Sequence, residues 1–393
     1  MTAVKHVLIS GASIAGPALA HWLGRRGVRT VVVEKAPARR TGGYAIDVRG
    51  KAIDVIDRMG VLDGARAAAT GITKGVMVGA DDRALATFGA DMVASEERSL
   101  EILRGDLVGL LHDAAPDAEY RYGDSIASLA QHEDRVDVVF ASGAAESFDL
   151  VVGADGLHSN TRALAFGPEA PYRRFLRSYV SIATVPNRLG LDGEVRLYNT
   201  PGRVAALYHS PRAEGAKALL LHRSAMESDV DRESPSAQQA HLRDVFAGMG
   251  WETDRILADL PGAADFYFDS VTQIHMGAWS TGRAVLLGDA GYGPSPMSGQ
   301  GTSLALVGAF VLAEELAAHA SPGPALAAYG RRMRPFVDAN QAIAAPGLDF
   351  LVPASAFAIK ARNALLRSGP LLRLLGRFGT RLEKAAEAVS LDR

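Results

Sequence analysis

Within its first 34 residues the chain lays out a strand, a turn of small residues, a helix and a second strand, an order that few folds accept. Residues 6–10, His-Val-Leu-Ile-Ser, have the apolar, β-branched composition of a strand covered on both faces of a parallel sheet. Gly11-Ala12-Ser13-Ile14-Ala15-Gly16 follows, a helix is predicted over residues 14–26, and residues 28–34 supply the next strand. Neighbouring parallel strands need a crossover, so this is a βαβ unit. Small residues at its first turn let the backbone approach a pyrophosphate, where the free N–H groups and dipole of a helix N-terminus favour negative charge. Ser13 departs from the usual fingerprint by placing a β-carbon at the second glycine position. Glu34, with Lys35 beside it, closes the second strand at the spacing of a carboxylate that accepts hydrogen bonds from a ribose.

Composition narrows the chemistry. The chain has 393 residues, enough for two or three lobes at about 150 residues per domain. It has no cysteine, which excludes disulfides, thiolate metal sites and dithiol redox chemistry, so any redox step needs a cofactor. A net charge of −2 offers no general attraction to nucleic acid, and no metal site is expected. The N-terminus lacks the pattern of a secretion signal. The most apolar helical stretch, residues 307–316, contains Glu314 and Glu315 and is too short for the roughly 20 apolar residues of a membrane span. These features predict a cytoplasmic protein without a membrane segment, either a monomer or a homodimer.

Further along, a helix is expected around residues 51–59, short hairpins over residues 70–103, a helix over 106–115 and strands over 136–141 and 150–153. Between residues 179 and 270 the pattern becomes that of antiparallel strands, and residues 284–287 return to a buried strand followed by a helix over 303–319. The expected fold is therefore α/β, with a discontinuous Rossmann-type domain interrupted by a mostly antiparallel substrate domain and followed by a C-terminal helix. The expected boundaries are residues 1–175 and 273–340 for the first domain, with the 70–101 hairpins joining the other lobe. The substrate domain then covers 176–272 and the helical tail 341–393. In that tail Leu371, Leu374, Leu375, Phe378 and Leu382 share a face opposite Arg373, Arg377 and Arg381, which predicts a terminal helix docked across the domain seam with its arginines in solvent, the alternative being a basic amphipathic helix lying on an anionic membrane.

Two further motifs each follow a predicted buried strand. The first is Gly153-Ala154-Asp155-Gly156-Leu157-His158-Ser159-Asn160-Thr161-Arg162, and the second is Gly288-Asp289-Ala290, leading through Pro294 and Pro296 to Gly299-Gln300-Gly301. With the first turn they resemble the class A flavoprotein monooxygenases, the family of para-hydroxybenzoate hydroxylase and the tetracycline-inactivating oxygenases, over roughly residues 1–340. The resemblance implies that FAD is bound by Gly11, Ser13, Ile14, Ala15, Gly16, Glu34, Lys35, Gly43, Arg104, Ile126, Asp155, Gly156, Asp289, Gly299, Gly301, Thr302 and Ser303. It assigns Asp289 to a ribityl hydroxyl and Arg104 to the phosphate or ribityl region. Gly42-Gly43-Tyr44-Ala45 matches the loop that runs beside the flavin. Gly291-Tyr292 and Thr302-Ser303 depart from residues common in the family, which bears on the flavin-edge contacts.

The resemblance also implies the chemistry. NADPH or NADH reduces FAD, O2 reacts with the reduced flavin, and a C4a-hydroperoxide hydroxylates a small aromatic or polyketide-like substrate. No side chain is assigned as catalytic. Arg49, Arg196, Tyr198, Tyr208, His222 and Pro296 are the expected pocket residues, with Arg196 and Tyr198 sharing one strand face by the two-residue period. A flavin-dependent reductase or dehydrogenase is the main alternative, and a non-enzymatic relative of the fold is the second.

Overall fold

The computed structural model describes residues 4–39, 43–89, 98–211, 213–367 and 380–392. Strand His6–Ser10 is followed by helix Ala15–Gly24 and strand Arg29–Glu34. Val7, Leu8 and Ile9 are fully buried, as a strand covered on both faces requires. A six-stranded sheet grows around this unit in the order Ser280–Thr281, Ala284–Leu286, Leu150–Gly153, His6–Ser10, Arg29–Glu34, Glu119–Tyr122. Its pairings are parallel except for the hairpin at Ser280–Thr281.

The two faces of this sheet are covered differently. Helices Ala15–Gly24, Arg104–Asp113 and Gly301–Ala318 pack on one face around Val7, Ile9, Val32, Val152 and Val285. A three-stranded antiparallel meander of Ile126–Gln131, Val136–Phe140 and Ala145–Phe148 covers the other, against Leu8, Val31, Val33 and Val151. Val136–Phe140 therefore belongs to the meander and not to the parallel sheet. Helix Gly301–Ala318, close to the expected 303–319, is long and apolar enough by length and composition to cross a membrane, although its 307–316 stretch alone read as too short, and 78% of it is buried inside the protein.

The second layer is a seven-stranded sheet in the order Tyr267–Ile274, Arg173–Val185, Ala216–Arg223, Arg203–Tyr208, Glu194–Thr200, Lys74–Val78, Ala84–Gly89. Hairpin Lys74–Val78 and Ala84–Gly89 joins it by parallel pairing of Lys74–Val78 with Glu194–Thr200. One face packs on helices Pro235–Phe246 and Thr253–Asp259 through Ala205, Leu207, Leu220, Leu242 and Phe246. The other turns toward the first domain and the C-terminal helices, with Val180, Val204, Ala206 and Leu221 packed on Leu348, Val352 and Leu366.

Helix Ala356–Arg367 is bound to this sheet by Arg362, which is buried and donates to the Phe350 carbonyl and Asn199 Oδ1, both at 2.9 Å. Residues 380–392 then return to the first domain. Leu382 and Ala385 contact Ile343, and Arg332 donates to the carbonyls of Ser390 and Leu391. Most of the apolar and basic face expected for the tail, residues 371–378, lies outside the described residues, as does Gly42.

Candidate active site

A cleft of about 500 Å³ runs between the two layers, within the ~300–1,000 Å³ range of small-molecule sites. At one end its wall is the first βαβ turn. Gly11 has φ +112°, and a β-carbon there would lie 2.3 Å from the Ala154 carbonyl oxygen, while one on Gly16 would lie 1.9 Å from that of Gly11. Both positions exclude any side chain, so the turn closes tightly and helix Ala15–Gly24 presents its N-terminus to the cleft without a side-chain cap. Ser13 turns its side chain to a partner, its hydroxyl accepting from Arg104 Nη2 at 2.8 Å. The serine thus anchors the arginine that heads helix Arg104–Asp113, and Gly43 packs on the stem of that arginine.

Glu34 is held by its own corner, with Oε2 accepting from Ala12 N at 3.0 Å and Oε1 from Ala36 N at 2.9 Å. Each oxygen keeps a lone pair for a hydroxyl from the cleft. Lys35, Arg39, Tyr122, Asp124 and Ser125 line the same end. The Tyr122 hydroxyl is buried and has no partner among the described residues, an orphan that a bound ligand would satisfy. Ile126, expected on this wall, is only 2% exposed; its carbonyl accepts from Asn160 Nδ2, and the preceding Asp124 and Ser125 face the cleft instead.

The second motif works mainly on the protein itself. Asp155 lines the cleft, but its carboxylate accepts from the Ser159 hydroxyl and from both the backbone N and the hydroxyl of Thr161 at 2.8 Å. Ser159 also caps helix Asn160–Phe166 by accepting from Arg162 N. Arg162 is fully buried and donates to the carbonyls of Leu157 and Ala290 and to Glu169, at 2.6, 2.8 and 2.6 Å. It therefore ties the second motif to the third.

In the third motif Asp289 opens onto the cleft at the head of the short helix Asp289–Tyr292. Desolvation by the surrounding walls raises its carboxyl pKa, Arg104 opposes the rise and Asp269 adds to it. Gly299 is left-handed, with φ +62°, and Gly301 and Thr302 line the cleft where helix Gly301–Ala318 begins without a side-chain cap. Ser303 does not reach the cleft. It is fully buried and its hydroxyl accepts from Arg49 N at 3.1 Å, fixing strand Ala45–Arg49 to the helix.

The far wall corrects most of the expected pocket residues. Arg196 pairs with Asp82 and Glu194, the Tyr198 hydroxyl donates to the Met249 carbonyl, and His222 Nε2 sits 3.1 Å from His241 Nε2. All three lie on the helix-covered face of the sheet. The shared face of Arg196 and Tyr198 is real, but register places it beside Leu207 and Ala205, away from the cleft. Tyr208 lies on the cleft side, yet is buried with its hydroxyl accepting from Ala45 N at 3.0 Å. Arg49 is behind Asp47, to which it pairs at 2.8 Å, while Pro296 does line the cleft.

Tyr44, Asp47, His158, Tyr267, Asp269 and Thr272 line this wall, although no motif singled them out as pocket residues. The Tyr44 and Tyr267 ring centroids are 6.0 Å apart. The Tyr267 hydroxyl donates to Asp269 Oδ2 at 2.9 Å, and Asp269 Oδ1 lies 3.4 Å from His158 Nε2. Hydrogen bonds to Asp269 and Glu169 raise the His158 pKa to about 9, so this imidazole is cationic at neutral pH. Adjacent strand-end aromatics such as Tyr267 carried a weak signal, because only pairing with residues 173–185 decides which face they occupy.

The FAD binding domain family profile matches residues 5–343. A flavin-dependent monooxygenase from an unknown prokaryotic organism is 41% identical over 343 residues, covering 87% of this chain and 89% of that protein. The crystal structure of tetracycline destructase Tet(55) superposes with a TM-score of 0.86 at 38% identity, covering all of both chains. The Klebsiella pneumoniae HpxO structure, complexed with FAD and uric acid, shares the fold with a TM-score of 0.76 at 20% identity and 96% coverage of each chain. An open helix N-terminus, a tight turn bounded by two glycines that exclude a side chain and a braced carboxylate at one end of a two-layer cleft fit the nucleotide half of such a cofactor. This chain belongs to the FAD-binding family of class A flavin-dependent monooxygenases.

Proposed function

We propose that the protein uses NADPH or NADH and O2 to hydroxylate a small phenolic or polycyclic substrate held between the two layers. The observation that carries this reading is one continuous cleft from Glu34 and the first turn, past Arg104 and Asp289, to the Tyr44, Tyr267 and Asp269 wall. FAD, when bound, supplies the redox chemistry that activates oxygen. Glu34 would accept from the adenosine ribose, and the N-terminus of helix Ala15–Gly24 would hold the pyrophosphate with Arg104 nearby. Asp289 would accept from the ribityl chain, and the open start of helix Gly301–Ala318 would favour an anionic reduced flavin. Asp155 and Arg162 set the loop geometry. The paired rings of Tyr44 and Tyr267 offer an apolar, stacking surface that keeps water from a flat substrate.

The test is direct. Purified protein should be yellow and release intact FAD on denaturation. A panel of phenols and polycyclic aromatics should identify compounds that accelerate NAD(P)H oxidation, and mass spectrometry of their products should show the gain of one oxygen atom. Protein that binds no FAD, or that oxidises NAD(P)H with only peroxide as product across the panel, would reject the reading.

A further inference from the structure

Resting on the hydroxylase reading, we infer that the Asp47–Glu101 carboxyl pair takes the proton from an acidic substrate hydroxyl, that of a phenol or an enol. Strands Ala45–Arg49 and Ser99–Leu103 form a two-stranded antiparallel ribbon in which Asp47 lies directly across from Glu101. Cross-strand neighbours of this kind have β-carbons about 5 Å apart on one face. Val48 and Ile102 fill the opposite face, fully buried in the core.

The pair connects cleft and interior. Asp47 lines the cleft, and its Oδ2 lies so near the glycine turn before helix Gly301–Ala318 that a β-carbon on Gly299 would come within 3.3 Å of it. Glu101 sits deeper, with Oε1 accepting from the Thr70 hydroxyl at 2.6 Å. Arg49 pairs with Asp47, and its backbone N is fixed by Ser303. The guanidinium pairs with Asp47 and reaches Glu101 only through its longer-range charge, so the second carboxylate is the one ready to take up a proton.

Charges on the surrounding elements keep that proton exchangeable. Burial, with Asp47 adding repulsion, raises the Glu101 pKa to about 7, while the Thr70 hydrogen bond and Arg49 pull it down. From the seven-stranded sheet Tyr208 faces Glu101, and burial holds its hydroxyl protonated well above its ordinary range. Beyond Tyr208, Asp265 is neutralised by Lys217 at 2.7 Å. From the cleft side Tyr44 is also raised by burial, so neither phenol competes for the proton. A base whose pKa lies near the working pH combines availability with driving force.

In the step, the substrate O–H bond breaks and its proton passes to Asp47 and is shared with Glu101. The substrate becomes an oxyanion, the pair loses one negative charge, and the total is unchanged. The oxyanion enriches the ring carbons that an electrophilic oxygen donor attacks. After release of product the proton returns to solvent.

The experiment compares FAD-loaded wild type, Glu101→Gln and Asp47→Asn on phenols of graded acidity. Gln retains the size of Glu101 and can still accept from Thr70, but it cannot take a proton. Both variants should lose on the order of a hundred-fold in hydroxylation rate with weakly acidic phenols. That loss should shrink toward none with a nitrophenol already ionised at the assay pH. A uniform loss across the series, or no loss, overturns the inference.

A second measurement separates this inference from the hydroxylase reading. The folded state holds the Glu101 proton above the ordinary carboxylate range, so it binds more protons than the unfolded chain. The wild-type unfolding midpoint should therefore receive a downward contribution as pH rises from about 5 to about 8, and Glu101→Gln should flatten that slope. Equal slopes overturn the proton-holding pair. Wild type that converts no phenol while the slopes differ rejects the hydroxylase reading and leaves the pair standing.

Discussion

The two walls of the cleft are built by opposite rules. On the first-domain side the main chain does much of the work, and the polar motif side chains largely hold it in place. Gly11 and Gly16 admit no side chain, Glu34 braces two amides, and Arg162 staples its own loop to Ala290, 128 positions away. On the other side a strand face presents Tyr267 and Asp269, while alternate residues such as Phe268 disappear beneath helices. A motif is therefore a good guide to where the first wall is, but not to which of its members touch a ligand. The strand face of the second wall, with Tyr267 and Asp269, has no motif.

The strongest challenge to this contrast is Arg162→Met. Breaking a buried ion pair while leaving Glu169 behind should cost about 3–5 kcal/mol of stability in urea unfolding, with or without FAD. A variant that loses only FAD affinity would make Arg162 a ligand contact instead of a staple. Asp289→Ala tests a side chain that does open onto the cleft. It should raise the FAD dissociation constant through loss of a charge-assisted hydrogen bond of about 1.5–3 kcal/mol, measured by fluorescence titration of the apoprotein, with little effect on apoprotein stability.

On the helix-covered face, burial lowers the His222 pKa to about 3, below its unfolded value near 6.5. The unfolded chain therefore binds the extra proton first. His222 contributes stability that is fully present above about pH 6.5 and is lost on acidification toward its folded pKa, by at most about 1.4 kcal/mol per pH unit. His222→Phe should flatten this acid limb in thermal unfolding and leave substrate KM unchanged; a changed KM would return the residue to the pocket. The smallest effect belongs to Arg196→Ala, whose partly exposed ion pairs should contribute less than about 1 kcal/mol. FAD content and turnover should match wild type, and a selective loss of turnover would show that this face reaches substrate after all.

Ser13 and Ile126 show where reading the chain stops. The departure at Ser13 was visible, yet its partner Arg104 lies 91 positions away and only folding brings the two together. Ile126 was placed on the wall, but the local turn presents Asp124 and Ser125 and uses the Ile126 carbonyl internally. Tyr122 escaped notice because an edge-strand tyrosine has no distinctive spacing, and its orphan hydroxyl exists only once the neighbouring elements bury it.

By itself the sequence determined the first βαβ unit, the turn of small residues within it, the acid at the end of the second strand and the antiparallel character of the middle of the chain. These depend on backbone permissiveness and on periodicities of 2 and 3.6 residues, which near neighbours set. Tertiary structure decided which face of each alternating strand is the cleft. Period two says that Arg196 and Tyr198 share a side. It cannot say that helix Pro235–Phe246 covers that side while Tyr267 and Asp269 meet the first domain on the other, because the choice rests on strand register and layer packing between distant segments.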